Sequence, residues 1–178
     1  MEENKQPSLL KSTINYGAML GLAMVIITLL AWMFDILLKP GFSYVNYALI
    51  IVGIVLATIN FRDQEQGGSI TYGRALGVGF LTTMFSGLVI SLFSYLLYTV
   101  IDPTLVEKSY AVMEEGYYNA GMSDDQIETA MNMVKRFSNP PMMALIGFLG
   151  YVFMGLIFSL VTSIFLKKEG DPFTSDRV

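Results

Sequence analysis

The stretch Tyr72–Ile101, YGRALGVGFLTTMFSGLVISLFSYLLYTVI, contains no acidic residue, and its one charge, Arg74, sits at its start. About 20 predominantly apolar residues suffice to cross a bilayer. A run of this length therefore constrains the chain more than any other feature: it predicts a membrane-spanning helix, and the remainder must be organised around it. Composition agrees. Hydrophobic residues make up 53 % of the 178 and charged residues only 15 %, against about 25 % in an ordinary soluble domain.

Three further apolar runs follow the same logic. Helix 1 is expected over 13–38, helix 2 over 43–61, helix 3 over 72–101 and helix 4 over 142–166. Lys5 and Lys11 precede the first run as they would in a signal peptide. That run is too long for a signal h-region, and no small-x-small cleavage site follows it, so it reads as a retained span. At about 1.5 Å per residue helix 1 would be near 39 Å long, more than the hydrocarbon core, and should tilt or protrude. Trp32, the single tryptophan, lies toward its far end, where an aromatic belt would place it. Lys39-Pro40-Gly41 marks a sharp turn, so helices 1 and 2 are expected as an antiparallel hairpin.

Glycines mark where backbones are expected to approach. Gly17 and Gly21 form a G-x-x-x-G pair in helix 1. Gly73, Gly77, Gly79 and Gly87 cluster in helix 3, and Gly147, Gly150 and Gly155 lie in helix 4. In a bilayer such positions read as helix-packing faces, which makes helix 3 the expected central helix.

Residues 102–141 form the one large polar excursion, with seven acidic residues against three basic. It reads as two short helices. The first, near 104–120, places Val106, Tyr110, Met113 and Tyr117 on one stripe. The second starts at Ser123, with Gln126 three residues on as in a capping box, and carries Ile127, Ala130, Met131, Val134 and Phe137 on one face. Gly121 separates the two, and Asn139-Pro140-Pro141 stops the second. With four spans, Lys5, Lys11, Arg62, Arg74, Lys167, Lys168 and Arg177 share one side, and Lys39, Lys108, Lys135 and Arg136 the other. Seven positive charges against four predict both termini in the cytoplasm and an outward, acidic cap. The fold class expected is thus an all-α integral membrane protein in one membrane domain, residues 1–178: four transmembrane helices with a two-helix extracytoplasmic cap between helices 3 and 4.

Two charged residues stand out as candidates. Asp35 is an acid inside an apolar run. A buried intramembrane carboxylate is costly and marks function by default, here a proton or cation site. Its position one turn from the helix end favours a plainer reading, an interfacial acid paired with Lys39 at i+4. Arg74 suits a lipid phosphate or a partner carboxylate, against the plainer reading of a side chain snorkelling to headgroups. Hydroxyls at Thr82, Thr83, Ser86, Ser91 and Ser94 on helix 3, with Ser159, Thr162 and Ser163 on helix 4, either line a polar path or bond helix backbone. Asp124, Asp125 and Glu128 suit a weak divalent cation, but acids there also favour the helix dipole.

The chain has no His and no Cys, which removes thiol nucleophiles, His bases and zinc sites built from either. The small, uneven net charge of −4 argues against nucleic-acid binding. No enzyme, catalytic residue, cofactor or metal site is expected.

A set of short motifs carries a resemblance: Phe61-Arg62-Asp63, then Gly67-Gly68-Ser69-Ile70-Thr71-Tyr72-Gly73-Arg74-Ala75 and Gly79; Ile101-Asp102-Pro103; Gly121 before an acidic helix start; Asn139-Pro140; and Gly155-Leu156-Ile157-Phe158-Ser159-Leu160. In their order and spacing they resemble a bacterial family of four-helix inner-membrane proteins catalogued only as domain of unknown function 4199. The resemblance covers nearly the whole chain and implies the four-span topology and a bacterial inner-membrane location. It implies no activity, and Arg74 is not one of its signatures. The function expected is a non-enzymatic interaction or scaffold protein, with the lipid bilayer and either a membrane-protein partner or further copies of the chain as its surroundings. The alternative is a small oligomeric transporter or channel using Asp35 and the hydroxyls of helices 3 and 4.

Overall fold

Six α-helices account for most of the chain in a computed structural model that describes residues 9–168. The polar residues before Leu9, with Lys5, and the polar tail after Lys168, with Arg177, lie outside the described residues. Four helices are long and apolar enough to cross a membrane. They are α1 (Leu9–Met33), α2 (Phe42–Asn60, prolonged by a π-helical turn Phe61–Glu65), α3 (Tyr72–Leu96, prolonged likewise by Leu97–Ile101) and α6 (Pro140–Leu166). Between α3 and α6 come α4 (Leu105–Asn119) and α5 (Asp124–Phe137).

The surface of the four-helix bundle is made of large apolar side chains, and its interior combines small ones with a few large ones such as Ile54, Phe61 and Leu97. Ala75, Thr82, Thr83, Ser86 and Ser159 are fully buried, whereas Met19, Phe153 and Phe165 are 69, 62 and 81 % exposed. A water-soluble bundle buries its large apolar residues. Here large apolar residues also cover the outside, a surface that suits lipid, which solvates Leu and Phe and leaves association to close packing at small residues. α3 is the central helix: α1 and α6 pack along it on two sides, and α2 packs on both α3 and α6.

The seams are set by glycine. A Cβ on Gly17 would lie 2.5 Å from Phe85 Cβ and 2.9 Å from the Thr82 carbonyl; on Gly21 it would strike Val89 at 2.6 Å. On Gly79 it would meet Ser159 Oγ at 2.6 Å and Ile54 at 2.9 Å, on Gly87 Tyr151 at 3.0 Å, and on Gly155 Thr83 at 2.5 Å. These contacts join α1 to α3 and α3 to α6. Gly77 touches only Leu9, at 3.6 Å. Among the described residues a Cβ on Gly73, Gly147 or Gly150 would meet nothing within 4 Å, which corrects the expectation that they are packing positions of this bundle. Gly53, which stands alone in its helix, is a close-contact position the spacing did not single out: its Cβ would lie 2.6 Å from Leu20.

Helix 1 ends five residues before the expected boundary, at Met33 rather than residue 38. Asp35 has φ 53°. Its N–H bonds the Trp32 carbonyl at 3.1 Å, and the Ile36 N–H bonds the Ala31 carbonyl at 2.9 Å. This pair of bonds is a Schellman stop with Asp35 as its left-handed residue, a conformation that Asp tolerates better than most residues. Other ends follow the sequence reading closely. The Ser123–Gln126 capping box forms, and Gly121 supplies the φ of 77° between α4 and α5. Asn139 does more than follow α5: its Oδ1 accepts from Met142 N at 3.0 Å and caps α6, which begins at Pro140 instead of residue 142.

Two outcomes are expected for the purified protein in detergent. Asp35→Gly leaves thermal stability unchanged or raises it by up to about 1 kcal/mol, and Asp35→Val lowers it by about 1–2 kcal/mol; equal losses for both would remove the left-handed stop. Gly17→Leu and Gly155→Leu each cost at least about 2 kcal/mol through overpacking, whereas Gly147→Leu leaves the melting midpoint in place.

Candidate functional site

Asp35 lies outside the helix that was expected to hold it and is exposed. Among the described residues it forms no ion pair with Lys39. Its backbone conformation accounts for its position, and its carboxylate is not enclosed by the spans. Arg74 stands half-buried in the first turn of α3, at the end of the bundle opposite α4 and α5. Asp35 and Arg74 therefore sit at opposite ends and form no joint site.

The hydroxyls of α3 and α6 divide into two groups. Thr83 bonds the Gly79 and Phe80 carbonyls, Ser86 bonds the Thr83 carbonyl and Tyr151 Oη, and Thr162 bonds the Phe158 carbonyl. Thr82, Ser159 and Ser163 are fully buried in the seams. These side chains close helix contacts and do not border an open path. Ser91 and Ser94 border a cavity of about 450 Å³ between all four spans, in the half of the bundle nearest α4 and α5. Ser91 is bonded to the Ala144 carbonyl at 2.8 Å.

The junction above this half centres on Asp102, which the sequence marks only as the first residue of the polar excursion. One carboxylate oxygen accepts from Trp32 Nε1 at 3.1 Å and from Lys108 Nζ at 3.3 Å; the other accepts from the Thr104 backbone N–H at 3.1 Å and from the Thr104 hydroxyl. It thus ties the end of α1 to the end of α3 and to the first turns of α4. The Thr104 hydroxyl, then the Trp32 indole, and then Lys108 hold the charged form, lowering the carboxyl from its ordinary value to about 2. The partner lies 70 residues away in sequence, so only the unusual isolation of one Trp and one Asp at facing helix ends hinted at it.

α4 and α5 pack on each other as an antiparallel hairpin. Lys135 Nζ lies 6.0 Å from the centre of the Tyr110 ring, and Leu105, Ile127 and Met131 are buried. Neither helix packs against the spans as the spans pack among themselves. Between them runs a groove of about 590 Å³ with Ile127 and Met131 in its lining. Glu114, Glu115, Asp124 and Glu128 line it toward the tip, and Lys135 toward the base. Tyr118, beside the groove, is 69 % exposed. The hairpin is polarised: five acids lie toward the α4–α5 turn, while Lys108, Lys135 and Arg136 lie with Asp102 and Glu107 at the end that joins the spans. Asp124 and Asp125 occupy the first turn of α5. Among the described residues no three acidic side chains converge as metal ligands would.

Because Asp102 is held below its ordinary range, its bonds are complete above about pH 4 and are lost as pH falls through about 2. Trp32 fluorescence in detergent should therefore titrate with a midpoint near 2, and Asp102→Asn should abolish that step; a midpoint near 4 would show that the junction does not form.

No curated protein and no solved structure matches the chain. A match does cover residues 15–168, from within α1 to past the end of α6, and so includes the four spans and the hairpin. The chain belongs to the family described as Protein of unknown function (DUF4199).

Proposed function

We propose that this chain is a non-enzymatic interaction protein of the bacterial inner membrane, with both termini cytoplasmic and the α4–α5 hairpin on the outer face. The charge bias of seven to four supports that orientation. The observation that carries the function is the hairpin groove. A self-packed helical pair raises four carboxylates around a floor containing Ile127 and Met131, with Tyr118 exposed at its edge. Exposed aromatics beside an apolar floor are the usual anchors of a protein contact, and the single sign of the tip selects a basic partner segment and steers it electrostatically. The occupant is therefore an amphipathic segment of another protein bearing Lys or Arg.

The transporter reading has less to stand on. Asp35 is an exposed helix stop, and the hydroxyls of the α3–α6 seam are consumed in packing.

The test is a photo-crosslinking residue at position 118 in cells, with the crosslinked peptide sequenced. A basic amphipathic peptide is expected. Glu114→Lys with Glu115→Lys and Glu128→Lys should reduce the yield about tenfold or more, and 0.5 M salt should reduce it in the unsubstituted protein. These side chains are solvent-facing, so the melting midpoint should stay in place. Crosslinks only to lipid, or to an acidic or uncharged peptide unaffected by charge reversal, would remove this reading.

A further inference from the structure

Every polar side chain in a bilayer-spanning bundle needs a partner, because lipid offers none. Along the spans Thr13, Thr83, Ser86, Ser91, Thr99 and Thr162 find one by bonding backbone carbonyls. The 450 Å³ cavity gathers polar side chains that do not. Thr28, Ser43, Asn46, Ser94 and Tyr98 line it, from three different helices, and none of their side chains has an intramolecular hydrogen bond among the described residues. Among the described residues Thr58, Thr82 and Ser159 also lack partners, but their oxygens are sealed within helix seams; the Asn46 Oδ1 is likewise enclosed and unpaired, at the cavity wall. The cavity residues instead surround an open volume, within the range of small-molecule sites, about 300–1,000 Å³.

The rest of the lining is apolar and uncharged. Met24, Ile50, Leu97, Phe148 and Met154 form its walls, and among the described residues no Asp, Glu, Lys or Arg lines it. The cavity also has a side entrance. Ser43 and Tyr47 on α2 and Gly147 and Gly150 on α6 line it and are exposed, whereas Thr28, Ile50 and Leu97 at its back are buried. A Cβ at Gly147 or Gly150 would meet nothing within 4 Å. The two glycines that do not pack thus keep a slot open between α2 and α6, facing the side where lipid would lie.

We infer that this half of the bundle is a binding site for a neutral amphiphile of the bilayer, entering laterally between α2 and α6. Its apolar body lies against Met24, Phe148 and Met154. Its uncharged head, bearing ester or hydroxyl oxygens, engages Ser43, Ser94 and Tyr98, with the Asn46 amide beside them. An anionic head has no cation to meet there, and a fully apolar molecule would leave the hydroxyls unpaired. The site is separate from the hairpin groove, and neither reading depends on the other.

The experiment uses the full chain in phosphatidylcholine vesicles doped with a diacylglycerol that carries a diazirine in one acyl chain. After irradiation, the labelled residues are mapped by mass spectrometry. Label is expected on cavity residues such as Met143, Met154 and Tyr98. Unlabelled diacylglycerol should compete, and phosphatidylglycerol should compete no better than phosphatidylcholine. Gly150→Phe, whose Cβ meets nothing within 4 Å among the described residues and whose ring would fill the slot, should abolish the cavity label while the melting midpoint is kept. Tyr98→Phe with Ser94→Ala should weaken competition about tenfold, the size expected for losing the hydrogen bonds to the head. Label spread evenly over outward residues such as Leu149 and Phe153, or unchanged by Gly150→Phe, would overturn the site. Preferential competition by phosphatidylglycerol would overturn the neutral-head assignment.

Discussion

Close approach of α1 and α6 to α3 at glycine positions is what the rest of this structure depends on. Within lipid, helices gain little by burying Leu or Phe against one another, since the surrounding chains are equally apolar. What remains is dispersion between surfaces brought very close, and that requires residues without side chains at the crossing points. Gly17 and Gly21 admit Phe85 and Val89 of α3; Gly79 and Gly87 of α3 admit Ser159 and Tyr151 of α6; Gly155 of α6 admits Thr83. If these crossings open, the small polar interior of Thr82, Thr83, Ser86 and Ser159 has nothing to hold it together.

The same chemistry explains why the bundle is not uniform along its length. At the end near the chain termini, Ala57, Phe61, Ile70, Ala75 and Val78 fill the interior, and paired backbone bonds between Ile70 and Lys168 tie the loop before α3 to the end of α6. Toward the hairpin, α6 presents Gly147 and Gly150 to a side where no helix follows them in. The walls there are held apart by Phe148, Tyr151 and Met154, and the result is a cavity instead of a seam. Glycine acts in two opposite ways in one helix, and the difference lies in what stands opposite.

That difference also decides how far the sequence could be read. The extent of an apolar run is a local property, so Tyr72–Ile101 emerges from the residues with both ends correct. The caps at Ser123 and Gly121 are local too. The end of helix 1 is not, because Ile36, Leu37 and Leu38 prolong the hydropathy through a backbone reversal that hydropathy does not register. One left-handed Asp ends the helix, and only its tolerance of that conformation separates it from an intramembrane acid. Small-residue spacing shows that a helix could be approached closely but not from where. It points to Gly17, Gly21, Gly79, Gly87 and Gly155, where an added Cβ would strike another helix, and with equal force to Gly147 and Gly150, where it would meet nothing within 4 Å among the described residues; it passes over Gly53, whose partner Leu20 is in another helix. The Asp102–Trp32 bond and the cavity are products of assembly and have no local signature.

Asp102 also determines how the hairpin stands. A polar excursion of this size joined to membrane helices by flexible links would present its groove at no fixed height or angle. Here both feet are stiff. One is the Asp102 carboxylate, which clamps the first turns of α4 to the end of α1. The other is the two-residue step Ser138-Asn139, in which the amide that follows α5 caps α6. Between these feet Lys108, Lys135 and Arg136 outnumber Asp102 and Glu107 near the base, and Glu114, Glu115, Asp124, Asp125 and Glu128 lie toward the tip. Basic groups at that height are attracted by anionic headgroups within a Debye length, while the acids are repelled beyond it. Bond geometry at the feet and electrostatics along the shaft thus favour the same upright pose, with the acidic groove directed away from the bilayer.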